Sequence, residues 1–385
     1  MRRRVAALLA VLTAASLLQG CWNYREVDSL MLVAGVAVDK GYEGHRFHLT
    51  MDLADTSNAG KDKPVVTTLI ESEGDSLFDA VRNAIETTGT RLYWANCQIV
   101  IVSMDVARES ILPVVDYFTR DAEPRMTLEL FVSEEKTAKE ILQANSTTMS
   151  ITSFEIDKMY ELNEKYQPVS IYQVLYENYN TLAGKGRALT VASLRLVDVM
   201  GTKAPALCGT AIFDGDRLTG CLDVEDSIWF LYAADRIKGG TLEVRAATGN
   251  TVASLEVFGN RTTVKPVLEN GTVRVYIHTE TDAAIDELDE AENVMADDKL
   301  PGFRAAAESQ MKAKIERVIG MAQRQYGQDI FGFGSILHRT DLEAWRHVEK
   351  DWDEAFRNAR IDVTCTINIR NSTFQKTPVK VGDMK

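Results

Sequence analysis

Residues 340–370 read TDLEAWRHVEKDWDEAFRNARIDVTCTINIR, and the period of their apolar residues changes partway along. Leu342, Trp345, Val348, Trp352, Phe356 and Ala359 recur every three or four positions, the spacing of one α-helical face. Ile361, Val363, Cys365, Ile367 and Ile369 then alternate strictly, which puts them on one face of a β-strand. Thr340 and Glu343 have the spacing of a capping box, so the helix is expected to begin at Thr340. Helix and strand present matching apolar faces, and Trp352 is expected to face the Ile361–Ile369 strand. A chain that closes in this way belongs to a mixed α+β class.

The residues upstream continue the pattern. Phe303, Ala307, Met311, Ile315, Ile319, Ala322 and Tyr326 step by three or four, which predicts a long helix stopped by Gly327. Between the two helical patterns lies GQDIFGFG, residues 327–334. Its glycines permit close backbone approach, and Phe331 and Phe333 are placed to fill a seam, so it reads as a rigid helix-to-helix connector. A partner-binding loop is the other reading. Further back, Asn270-Gly271 marks a turn between two strand candidates within residues 261–281. The acidic stretch from Asp282 to Asp298 lacks the glycine that a calcium-binding EF-hand loop requires, and reads as a solvated face or loop.

Residues 188–199 and 207–224 are strand-like, the second stretch with Asp214-Gly215-Asp216 at a hairpin tip. If the two-residue loop is Asp214-Gly215, Cys208 lies across from Cys221 within disulfide range. If it is Gly215-Asp216, Phe213 faces Leu218 and the thiols stay free. Opposed apolar side chains favour the second register.

Before residue 187, strands alternate with helices. A hairpin surrounds KGYEG (40–44), and a strand candidate covers Val65 to Ile70. A helix capped by Ser76 and Gly89 carries Phe78, Val81 and Ile85 on one face. Then come a strand at 97–103, a helix near Ala107 to Thr119, a strand at 126–132, and a short helix from Glu134. Two more helices follow, with Tyr172, Leu175, Tyr176 and Tyr179 on one face as core. The expected organisation is three consecutive domains of mixed β-sheets flanked by helices. They are an N-terminal α/β domain (21–196), a smaller mostly-β domain (197–259) and an α+β domain with two long helices (260–371). A polar tail (372–385) follows.

The chain opens differently. Arg2, Arg3 and Arg4 precede an apolar run from Val5 to Leu18, and Cys21 ends it. A membrane-spanning helix needs about 20 apolar residues, whereas an export signal needs only about 7 to 15. Residues 1–20 therefore read as a cleaved signal peptide. Removing Arg2, Arg3 and Arg4 from the 43 basic residues leaves 40 against 56 acids, a formal charge of −16. Nucleic acid is an improbable partner for such a chain, and an anionic membrane surface repels it. Cys97, Cys208, Cys221 and Cys365 lack paired close spacings, which excludes a zinc site of the usual kind and a disulfide scaffold.

No nucleophile elbow, phosphate loop, zinc-protease helix or CxxC pair is present. Gly184-Lys185-Gly186 lacks the upstream glycine and the following hydroxyl residue of a phosphate loop. No catalytic residue, cofactor or metal is expected.

Leu18-Gln19-Gly20-Cys21 resembles the lipobox of bacterial lipoproteins, in which the thiol accepts a diacylglycerol and the new amino end is open to acylation. Cys21-Trp22-Asn23-Tyr24-Arg25-Glu26-Val27 is similar to the start of the Ger(x)C family of spore germination lipoproteins, where an aspartate usually stands at the place of Asn23. The 111–125 segment ending its apolar part at Arg120-Asp121 and the 209–222 hairpin resemble that family too. So do Asp329, Phe331, Gly332, Phe333, Gly334, Trp345, Trp352 and Phe356. The resemblance implies a non-enzymatic C subunit of a germinant receptor, anchored by lipid at Cys21. Its place would be the outer face of the spore inner membrane, with A and B subunits as partners. The alternative is an extracytoplasmic solute-binding lipoprotein, which requires two lobes around a cleft.

Overall fold

The computed structural model describes residues 2–7, 13, 31–55, 66–245, 252–288 and 299–370. Cys21, most of the apolar run before it, residues 289–298 of the acidic stretch and the 371–385 tail lie outside the described residues. The fold is mixed α+β, built on two sheets.

The first sheet has nine strands. β1 (Met31–Lys40) and β2 (Phe47–Asp55) form the hairpin expected around KGYEG, and β3 (Val66–Gly74) extends it antiparallel. On the other side β1 pairs in parallel with β5 (Ile99–Ser103), which pairs in parallel with β6 (Glu129–Ser133), and β6 with β7 (Thr190–Val199). The short β4 (Leu92–Tyr93) pairs with the start of β1. β8 (Thr202–Asp214) and β9 (Arg217–Leu222) close the sheet antiparallel.

Helices cover both faces, which is why the central strands read as unbroken apolar runs. Val100 and Val102 face α1 (Leu77–Thr88), α2 (Met104–Glu109) and α3 (Leu112–Arg120). Ile99 and Ile101 face the layer of α4 (Lys139–Gln143) and α5 (Thr152–Tyr166). A further helix, α6 (Leu175–Ala183), follows α5.

The second sheet has the order β10 (Gly240–Arg245), β11 (Val252–Glu269), β12 (Thr272–Leu288), β13 (Arg360–Arg370). β11 and β12 join at the Asn270-Gly271 turn, where both residues have positive φ. β12 and β13 run parallel, so the chain between them must cross over the sheet. α8 (Leu300–Met321) makes most of that crossing and lies on β13. Its buried side runs through Phe303, Ala307, Met311, Ile315 and Ile319, as the spacing predicts, and Gly327 ends it after a π-helical turn at 322–326.

Several elements differ from the sequence expectation. Residues 197–259 form no sheet of their own among the described residues. β8 and β9 complete the first sheet, and β10 and the start of β11 open the second. The reason is pairing length: β8 matches β7 along almost its whole extent, and β10 matches β11.

The helix expected near 107–119 is two, because Ser110 and Pro113 break it. The Ser110 hydroxyl accepts from Leu112 N at 3.2 Å, and Pro113 begins a new first turn. The strand expected at 126–132 starts only at Glu129, and the helix expected from Glu134 starts at Lys139.

A helix not expected from the sequence, α9 (Phe333–Thr340), precedes the last helical pattern, which is itself interrupted into α10 (Leu342–Val348), a 3-10 turn (Glu349–Asp351) and α11 (Trp352–Arg357). Asp341, not Thr340, caps α10 by accepting from Ala344 N at 2.9 Å. The Thr340 hydroxyl is already donated to Ile336 O within α9. Leu342 is therefore left 46% exposed at the first turn.

Candidate functional site

The GQDIFGFG segment is where the two halves of the chain are fastened together. Gly332 has φ +81 and starts α9, so the chain turns sharply between the end of α8 and α9. That turn wraps the Asp329 carboxylate. Its Oδ1 accepts from Gly332 N at 2.8 Å, and its Oδ2 accepts from Gly334 N at 2.9 Å and from Trp352 Nε1 at 3.2 Å. Burial pushes the carboxyl up to about 6, against the opposing pull of the Gly334, Phe333 and Gly332 backbone N–H groups and of the Arg187 charge. Phe331 stacks on Phe333 with centroids 5.1 Å apart, and Phe230 of α7 (Val224–Ala233) meets Phe331 edge-on at 5.7 Å. The connector reading holds in this respect: the segment is buried and its phenylalanines fill the seam.

The partner across the seam is the 184–188 segment. Ser335 N donates to Gly186 O and Ala188 N donates to Asp329 O, both at 2.8 Å. The backbones cross so closely that a Cβ on Gly186 would stand 2.5 Å from the Gly334 carbonyl carbon. A Cβ on Gly334 would meet the Trp352 ring at 2.5 Å. Lys185 pairs with Glu349 outside the crossing. The Gly-Lys-Gly stretch dismissed as a phosphate loop is thus a backbone crossing, and its long-range partner leaves no local signal.

Trp352 is buried, but under this crossing rather than over the Ile361–Ile369 strand. α8 occupies that place, so the stripe ending in Trp352 and Phe356 turns to the connector, with Phe356 6.2 Å from Phe333 between centroids. The π-helical turn that follows α8 reaches the first sheet through Tyr326, whose hydroxyl donates to Cys221 O at 3.0 Å.

Two openings flank the crossing. A cavity of about 290 Å³ is lined by Gly186, Arg187, Asp214, Asp329, Trp352 and Asp353 among others, and it adjoins an open groove of about 760 Å³. Sequence reading missed Arg187 altogether. Its stem lies against Gly332, where a Cβ would come within 3.1 Å of Arg187 Cδ.

Among the described residues no group of three or more His, Cys, Asp or Glu could hold a metal. No described helix is long and apolar enough to cross a membrane. Cys97, Cys208, Cys221 and Cys365 are free thiols. The β8–β9 loop is Gly215-Asp216 with Phe213 facing Leu218, the favoured register. A bulge next to Phe213 then sets Cys221 against Ala211, while Cys208 Sγ lies 3.3 Å from Ser193 Oγ on the neighbouring strand.

A family model described as spore germination protein N-terminal domain matches residues 23–194. A second, described as spore germination B3/GerAC like, C-terminal, matches residues 208–373. Spore germination protein KC of Bacillus subtilis (strain 168) is 23% identical, with 97% of each chain covered. Spore germination protein B3 of the same organism is 20% identical over 91% of this chain and 94% of its own. The crystal structure of the GerBC protein superposes with a TM-score of 0.56 at 16% identity, covering 88% of this chain and 97% of that one, so it shares the fold. With both halves matched in order, the chain belongs to the Ger(x)C family and has a germination-related role.

Proposed function

We infer that the chain is the lipid-anchored, non-enzymatic C-type subunit of a spore germinant receptor, acting with A and B subunits in nutrient-triggered germination. The observation that carries this reading is the pair of family models running in order from residue 23 to residue 373, directly behind Cys21. Cys21 is the point of attachment, and the membrane is the spore inner membrane, with the body on its outer face. Ten residue-to-residue steps lead from Cys21 to the start of β1 at Met31. At ~3.5 Å per extended residue the lipid holds that strand within about 35 Å. Diacylglycerol supplies two acyl chains, enough for stable attachment where one is marginal. The charge of −16 offers no second means of attachment to an anionic surface.

The test is Cys21→Ala expressed without the partner subunits. The variant is expected to take up no labelled fatty acid and to leave the membrane fraction. A variant that stays membrane-bound under these conditions contradicts the anchoring half of the reading.

A further inference from the structure

The small cavity beside the backbone crossing contains an unsatisfied donor on a charged group. Arg187 lines it, and Arg187 Nε is enclosed with no hydrogen-bond partner. Among the described residues the guanidinium makes no ion pair. Burial and then the nearby Arg236 charge work against its protonated form, more than Asp329 and Glu177 favour it. Glu177 is itself shared, since Arg236 lies 3.9 Å from it. Asp329 supplies an opposite charge, but its oxygens accept from three other N–H donors and not from Arg187 Nε. An enclosed Nε–H without an acceptor is costly, and an anionic oxygen in the cavity would supply that acceptor. A second enclosed donor, Trp345 Nε1, is likewise unpartnered and lines the groove into which the cavity opens.

The mouth has the opposite sign. Asp214 and Asp353 line the same cavity and are exposed. Desolvation and then the Asp214 charge raise the Asp353 carboxyl against the opposing Arg357 charge, so the two acids sense each other across the opening. A purely anionic ligand would meet this pair on entry and be repelled.

We propose that this cavity binds a small zwitterion, its carboxylate against Arg187 and its ammonium group between Asp214 and Asp353. The volume of about 290 Å³ is enough for a small metabolite. The site joins the first-sheet side, through Arg187 and Asp214, to the connector and last helices, through Asp329, Trp352 and Asp353, so its occupancy bears directly on the fastening between them. This goes beyond the receptor reading and depends on neither the lipid nor the partner subunits.

Titration calorimetry of the full lipidated chain in detergent tests it, with glycine, β-alanine and 4-aminobutyrate as zwitterions and acetate and methylammonium as single-charge controls. At least one zwitterion is expected to bind one-to-one, with both controls at least about tenfold weaker. Arg187→Gln keeps the stem over Gly332, and is expected to weaken that binding at least about tenfold without lowering Tm. Asp353→Asn, at an exposed position, is expected to weaken it as well while leaving the fold intact. The proposal is overturned if no zwitterion saturates the protein by about 100 mM. It is equally overturned if acetate binds as tightly as the best zwitterion, or if Asp353→Asn leaves the affinity unchanged.

Discussion

Asp329 takes three hydrogen bonds from one turn and one indole, so its carboxyl group organises the joint of the molecule. Its folded-state pKa of about 6 lies above the ordinary 3.8, so the folded chain binds the proton more tightly than the unfolded chain. Its contribution to stability is therefore fully present below about pH 4 and is lost as pH rises through 6. The stability difference between the wild type and Asp329→Asn, followed by urea unfolding, is expected to fall by up to ~3 kcal/mol across that window. A difference that stays flat with pH would remove the buried-charge account.

Two neighbours test the packing of the same joint. Trp352→Ala removes a buried indole and one of the carboxylate's donors, and is expected to cost ~3–5 kcal/mol. Gly186→Ala combines φ +71 with a Cβ placed 2.5 Å from Gly334, and is expected to cost ~2–4 kcal/mol in denaturant titration. An effect below about 1 kcal/mol at either position would mean that the crossing relaxes easily.

Periodicity fixed element type well where tertiary contacts agreed with local chemistry. The β1–β2 hairpin, the Ser76 and Gly89 caps, the Asn270-Gly271 turn and the buried side of α8 were all legible. Side-chain size was a poorer guide to facing. In α1 the buried positions are Leu77, Ala80 and Ala84, because small alanines let the helix approach the sheet, while Phe78 is 51% exposed. In α6 the chain enters by a bridge from Val174 to Glu129 and turns Leu175 and Asn178 inward. Tyr176 and Tyr179 are left 46% exposed rather than in the expected core. The hairpin register was legible because Phe213 and Leu218 choose each other, but the bulge beside them was not. Thiol titration of the denatured soluble part beginning after Cys21 is expected to find four free groups. Finding two would require a different β8–β9 pairing.

For the whole molecule, the mixed class could be read from residues 340–370 alone, whereas the division of 197–259 between two sheets could not. Which sheet a strand joins is set by how far it matches its neighbour in the fold, β8 along β7 and β10 along β11, and turn signals alone do not show that. For the same reason Arg187 and Asp353 showed nothing in sequence, since only the fold brings them to one cavity. The proposal for Cys21 rests on local sequence context alone, a basic head and an apolar run directly before it. The central claim is membership of a membrane-held receptor. The direct measurement is purification of the tagged protein from spore inner membrane, with identification of what accompanies it. The account predicts that A- and B-type receptor subunits copurify with the wild type in fixed ratio. Recovery of the tagged chain from that membrane without them would contradict it.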